Sequence, residues 1–365
     1  MYEFAIVDIN NLDIDDFNNF ERKVPFTTLE WLNYLKKLKN IKPIILSVSF
    51  EGKRIGYFTG GIVYFMGVKV LGSPFWGWIG QHMGFDLRKE VNKSVLIDDL
   101  IDYAENKIKC RYVQVTDLKF TYEDIELCSH KLIGGEQYRT CYIDLTLPQE
   151  TLFKNLKSGY RTCVRKFDKD GGTIEEDYSE VFIDEHEKQL REVFDRQKVK
   201  APDYRKKMCL LYSDESISHG ATANMGVYSI KALLTAESGD SKNNIASSYY
   251  IHNDYLAMFA SNASYSKYLK SCPNQALTWK AICAFKEAGI KVLDMGGSGN
   301  YKLNYGADWD PRPIIIHTNS KYVEFVILGA KRSYGRIVHS IGKIKAYFKR
   351  KIQGLLKRII GTPNE

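Results

Sequence analysis

The seven cysteines of this 365-residue chain, at 110, 128, 141, 163, 209, 272 and 283, are odd in number and never fall into a Cys-x-x-Cys spacing. Neither a disulfide framework nor a structural zinc site is suggested, and a reducing compartment fits best. Histidine is scarce too: none of the seven sits in a ligand-like pair, and no His-Glu-x-x-His run occurs, so no metal is implied. Without a Gly-x-Ser-x-Gly elbow, nothing asks for a hydrolase triad. The N-terminal "MYEFAIVDIN" has no basic n-region and no apolar h-region, which argues against a secretion signal. Long clean apolar runs are also wanting. Residues 60–80, "GGIVYFMGVKVLGSPFWGWIG", come nearest, but Lys69, Pro74 and repeated glycines break them, and strands joined by tight turns explain them better than a membrane span.

What is present is the balance of a folded protein. With 44% hydrophobic and 26% charged residues, disordered and fibrous classes are excluded, and the length leaves room for two domains. An aromatic content of 13%, with 24 tyrosines, leans towards strands and grooves. Strand-like "EFAIVDI", "PIILSVSFEG" and "RIGYFTGG" surround helical spacing in "TTLEWLNYLKKLKN", and an amphipathic helix over 94–109 leads into a strand, "CRYVQVTD". The second half repeats that order: a strand meander through "GVYSIKALLTAES" and "NIASSYYIHNDYLAMFASNAS", a helix over 274–288, and the short strand "KVLDM". The pattern predicts an α/β fold (α+β, mixed sheets) in two similar domains side by side. Between the halves, Pro148 marks a turn, with a helix capped near Thr146 or Gln149.

Two clusters carry chemistry. In "SGYRTCVRKFDKDGG" (158–172), helical spacing sets Arg161, Arg165 and Lys169 on one stripe. Such a stripe suits a diphosphate, or is a solvated basic face. Cys163 beside these three cations suits a thiol with a lowered pKa, but reads better as a small core residue. In "LDMGGSGNYKLNYGADW" (293–309), Gly296, Gly297 and Gly299 follow a strand's end, yet the Lys-Ser/Thr of a P-loop and the helix of a Rossmann turn are missing. Lys302 lies between Tyr301 and Tyr305, with Asp294 at the strand end and Asn262, Ser264 and Asn274 nearby in sequence. An acyl-transfer site needs a positioned amine, a proton acceptor and donors for a tetrahedral oxyanion. Asp294 suits the second role and Lys302 the holding of charge; the competing reading has Asp294 cap the turn and Lys302 reach solvent.

The net charge of +8 is uneven: residues 331–365 carry +9 and the rest −1. A neutral body disfavours a large nucleic-acid face. In the tail, Ile337, Ile341, Ile344, Phe348, Ile352, Leu355 and Ile359 form one apolar stripe flanked by Lys343, Lys349, Arg350, Lys357 and Arg358. This predicts a basic amphipathic C-terminal helix lying on an anionic membrane surface, with packing on the body or a partner as the rival.

Three stretches, "YRTCVRKFDKDGG", "LDMGG" and "YKLNYG", resemble the Arg-rich helix followed by Lys-x-Gly, the Asp-x-Gly-Gly strand end and the Phe-Lys-x-x-Phe-Gly of the FemABX family and the wider FemAB-like GNAT acyltransferases. The resemblance implies two GNAT-like domains, over 1–145 and 146–314, with 315–330 returning to the first and the acceptor in a groove between them. It implies that Arg161 holds the acceptor's phosphate, that Lys302 contacts the acyl donor's reacting end, and that Tyr301 and Tyr305 shape that pocket. Family members transfer amino acids from aminoacyl-tRNA to peptidoglycan precursors. Two departures stand out: "FIDEHEKQLREVFDRQKVK" has room for one helix instead of a coiled-coil arm, and "RIGYFTGG" matches the coenzyme A motif poorly. The donor is thus open between aminoacyl-tRNA and acyl-CoA. The expected protein is a cytoplasmic, membrane-associated N-acyltransferase acting on an amine of a nucleotide- or lipid-diphosphate-linked sugar or peptide in envelope synthesis. An acetyl-CoA-dependent sugar N-acetyltransferase and a non-catalytic membrane-bound scaffold are the alternatives.

The tail reading has a direct test. Deleting residues 331–365 is expected to release the protein from anionic liposomes in co-sedimentation, because about 1 kcal/mol per basic residue is lost at the surface. Sedimentation unchanged by the deletion refutes the anchor.

Overall fold

A computed structural model describes residues 1–20, 24–88, 90–133, 137–198, 201, 204–222, 225–235, 242–297, 299–327 and 329. The first half supplies β1 (Tyr2–Val7), β2 (Ile41–Phe50), β3 (Lys53–Phe65), β4 (Val68–Ser73), β5 (Gly84–Leu87) and β6 (Tyr112–Val115), with helices α1 (Ile14–Asn18), α2 (Leu29–Lys37), α3 (Lys93–Tyr103) and α4 (Tyr122–Glu126). The second supplies β7 (Gln137–Asp144), β8 (Thr173–Glu176), β9 (Ser218–His219), β10 (Gly226–Thr235), β11 (Lys242–His252), β12 (Leu256–Ser264), β13 (Val292–Asp294) and β14 (Asp308–Pro313). Its helices are α5 (Gln149–Asn155), α6 (Ser158–Lys169), α7 (Glu180–Arg196), α8 (Arg205–Tyr212) and α9 (Pro273–Glu287). A last strand, β15 (Ile315–His317), precedes a helix over 321–327.

Local chemistry explains these boundaries. Glu51 and Gly52, both at positive φ (51° and 71°), close the β2–β3 hairpin, and Met66 and Gly67 (49° and 79°) turn β3 into β4. Residues 60–73 are accordingly strand and turn. In α2 the Thr28 hydroxyl accepts the Trp31 amide, Glu30 lies in the first turn, and Lys36 and Lys37 lie in the last, so cap and dipole agree. α3 widens into a π-turn over 104–108 and stops at Lys109 in the left-handed region. α5 starts after Pro148 without a side-chain cap, since the Thr146 hydroxyl bonds Asp144 Oδ1 instead.

Two mixed sheets result. The described strands of the first run β1-β2-β3-β4-β6-β15, with β5 on β3; those of the second run β14-β7-β13-β12-β11-β10-β8, with β9 on β10. Each contains a parallel pair joined through a helical crossover, β4 with β6 through α3 and β12 with β13 through α9. The α3 helix covers one face of the first sheet, and α5, α6 and α9 cover one face of the second. Between the sheets lies a shared apolar core, in which Phe26, Trp31 and Tyr34 meet Phe182, Met208, Tyr249 and Met258. The ion pair of Lys37 with Asp214, at 2.8 Å, borders it.

Trp31 is fully buried in this core. Trp31→Ala is expected to cost about 3–5 kcal/mol in urea unfolding. A loss under about 1 kcal/mol would show that the layer does not hold the halves together. His186, buried between α7 and the second sheet, bonds the Ser247 and Ser261 hydroxyls, and burial pushes its pKa down to about 4. Its folded pKa is depressed, so the unfolded chain binds the extra proton. Stability is full above about pH 6.5 and falls by about 1.4 kcal/mol per pH unit between there and pH 4. His186→Gln is expected to flatten that slope by one proton in pH-dependent denaturation.

Candidate active site

The glycine-lysine stretch folds back on itself at the end of β13. Asp294, fully buried, accepts the Gly296 amide at 2.7 Å and the Thr140 hydroxyl of β7, both through Oδ1. Gly296 and Gly297 are both left-handed (φ 58° and 57°), and a Cβ on Gly296 would stand 3.0 Å from the Gln81 amide. Backbone freedom and close approach both demand glycine there. A 3-10 turn over Asn300–Tyr305 then brings Lys302 inward. Its Nζ donates to the Met295 carbonyl at 2.5 Å and to the Gly296 carbonyl, and it stands 5.5 Å from the Phe259 ring centre. Only 8% exposed, the amine has its pKa lowered by burial. Asp294 thus does cap the turn, whereas Lys302 is held inside it and does not reach solvent.

The neighbours are drawn in unequally. Tyr305 is buried, its ring edge-on to Tyr160 of α6 at 4.8 Å and its hydroxyl 3.4 Å from the Asn274 carbonyl, while Tyr301 is half exposed. The Asn274 amide donates to Ser264 at 3.0 Å, and its Oδ1 has no partner among the described residues. Asn262 bonds Ser248 at 2.5 Å. The α5–α6 corner docks on the loop through the Lys157 amide, which donates to the Asn304 carbonyl at 2.9 Å.

The basic stripe divides. Arg161 donates through Nη1 to the carbonyls of Lys154 and Leu156, closing the end of α5. Arg165 lies over the Phe153 ring at 5.2 Å. Both line a 780 Å³ cleft with Lys154, Phe153 and Trp279, but Lys169, exposed at the helix end, is outside that lining.

Two residues that no local motif marks also belong here. Gln81 and His82, on the loop between β4 and β5, reach across from the first sheet: Gln81 lies against Gly296, and His82 Nδ1 is 3.7 Å from Asp294 Oδ2. Burial, with Lys119 nearby, pushes the His82 pKa down to about 3, so the ring is neutral near pH 7. The only signal in the sequence was a polar pair following a stretch of apolar and glycine residues.

The parallel pairs differ at this point. In the second sheet the register ends at Met258 opposite Asp294, although β12 runs on to Ser264, and Lys302 faces Phe259 just past the last pair. In the first sheet the equivalent end is sealed: the Thr116 amide bonds the Ser73 carbonyl, the Met83 amide bonds the Thr116 carbonyl, and the Phe85 amide bonds Asp117. Among the described residues no group of three His, Cys, Asp or Glu is placed to hold a metal ion, and no helix is long and apolar enough to cross a membrane. Lys343, Lys349, Arg350, Lys357 and Arg358 lie outside the described residues.

No protein-family model matches the sequence, and no curated protein matches it significantly. Solved structures do match. FemX superposes with a TM-score of 0.68 at 10% identity, covering 89% of this chain and 99% of that one. A conserved protein of unknown function from Bacteroides thetaiotaomicron superposes with a TM-score of 0.51, also at 10% identity, over 87% of this chain and 98% of that one. At this identity the likeness is one of architecture: the chain shares the fold of FemX, built here from two mixed α/β sheets.

Proposed function

We propose that the protein is an N-acyltransferase that moves an acyl or aminoacyl group onto an amine of a diphosphate-linked sugar or peptide precursor of the cell envelope. The observation that carries this reading is the end of the β12–β13 pairing beside Asp294 and Lys302, with β12 running on to Ser264, whereas the same end of the β4–β6 pair is sealed. Where parallel strands part, backbone groups are left to bind an extended donor, and the reacting carbonyl would come to rest near the glycine turn. The FemX fold and the three motif resemblances support the same chemistry.

In this reaction the acceptor amine attacks the donor's ester or thioester carbon, and the tetrahedral oxyanion then collapses with loss of the alcohol or thiol. Asp294, a carboxylate aimed by Thr140 and the Gly296 amide, takes the amine's proton or orients the group that does. Lys302 braces the turn through two carbonyls and places a positive charge beside the donor's end. Arg161 and Arg165, on a cleft with aromatic walls, receive the acceptor's phosphates, while Lys169 stands outside its lining. Tyr301, half exposed, is available to substrate, while Tyr305, Asn274, Ser264 and Asn262 fix the wall behind it. The donor is aminoacyl-tRNA or acyl-CoA, and the tail, through its basic face, would hold the enzyme to the inner membrane surface.

Lys302→Ala would leave two carbonyls unpaired, so Asp294→Asn is the cleaner variant: its amide oxygen still accepts from Thr140 and Gly296. Transfer from aminoacyl-tRNA or acetyl-CoA to an amino-bearing sugar or peptide diphosphate is expected to fall about 10²–10⁴-fold in kcat/KM, with an unchanged melting temperature. Arg165→Ala is expected to raise the acceptor KM about tenfold or more at constant kcat. Absence of transfer from both donors, in wild type and variants alike, would favour the scaffold.

A further inference from the structure

Cys163 and Cys272 stand 109 residues apart in sequence, yet their sulfurs are 2.9 Å apart, with the Cys272 thiol donating to Cys163. Cys163 is on α6, and Cys272 is the residue before α9, whose first turn begins at Pro273. Both are free and only partly buried. Lys166, one turn beyond Cys163, lies near enough to both sulfurs to interact with their charge, and bonds Asp170.

The backbone at Cys272 adds a second, independent observation. Its φ of 57° is left-handed, a conformation that suits glycine or asparagine and is uncommon for a cysteine. A side chain held at a backbone cost points to a use for that side chain. Here the sulfur meets a second sulfur.

We propose that Cys163 and Cys272 form a reversible thiol-disulfide site whose reaction partner is a small-molecule disulfide of the glutathione type. The Cys163 thiolate attacks one sulfur of the small disulfide, forming a mixed disulfide and releasing one small thiol. Cys272, after giving up its proton, attacks Cys163 and releases the second small thiol. Two protein thiols are oxidised, one small disulfide is reduced to two thiols, and no other reactant is needed. The Cys272 thiol donates to the Cys163 sulfur, which favours a thiolate there and suits Cys163 to attack and Cys272 to resolve; burial raises the Cys272 thiol. Closure would staple α6, which carries Arg161 and Arg165, to the start of α9, which carries Asn274. The inference does not depend on the acyl-transfer reading.

The experiment incubates the reduced full-length chain with increasing ratios of oxidised to reduced glutathione. Thiol titration is expected to fall from seven to five, peptide mapping to give a Cys163–Cys272 cross-link, and dithiothreitol to restore all seven. The cross-link is expected to raise the melting temperature by about 3–6 °C. Cys272→Gly, which suits the left-handed backbone, is expected to fold and to stop at the mixed disulfide on Cys163. A stable mixed disulfide in the wild-type chain, a cross-link between other cysteines, or no loss of thiols would each overturn the proposal.

Discussion

The apolar layer between the two sheets is the constraint on which the candidate site rests. Packed interiors are stiff, so the position of α2 against α8 and the second sheet also fixes the loop that follows β4. From that loop His82 and Gln81 touch Asp294 and Gly296, and a turn encoded in the second half takes its final shape from the first. Neither half contains the complete arrangement.

The halves share a plan and differ where it matters. Residues 83–85 run beside 116–117 and close the end of the β4–β6 pair. In the second half the β12–β13 pairing ends at Asp294, beside the buried amine of Lys302. Placing the Lys302 charge out of water is unfavourable by several kcal/mol, and two carbonyls offset part of that. The depressed pKa is the residue of the balance.

Much of the fold was legible because its signals are local. The turn at Glu51–Gly52, the strand meander of β10 to β12, and the helix that stops at Gly289 before a three-residue strand are all written in neighbouring residues. The glycine turn was legible for the same reason. Lys302's burial was not, because its partners are carbonyls, which no side-chain pattern announces. His82 was missed because Asp294 is 212 positions away in sequence. Cys163 looked like a core residue because nothing near it in sequence names Cys272. The stripe of Arg161, Arg165 and Lys169 was correctly placed on a helix, yet spacing alone did not show that Arg161's donors turn to the end of α5.

The strand β15 has a consequence for the order of assembly. It pairs with β6 across some two hundred residues, Ile315 opposite Val115, and the Ile133 amide bonds the Ile316 carbonyl. On the ribosome, β1 to β6 therefore emerge long before the strand that covers their edge. Until residue 317 is out, that edge offers unpaired backbone groups to any passing strand. Contacts so distant in sequence form slowly, because loop closure must precede them. The sheet first synthesised is thus the last to be completed, after every described strand of the second sheet has emerged.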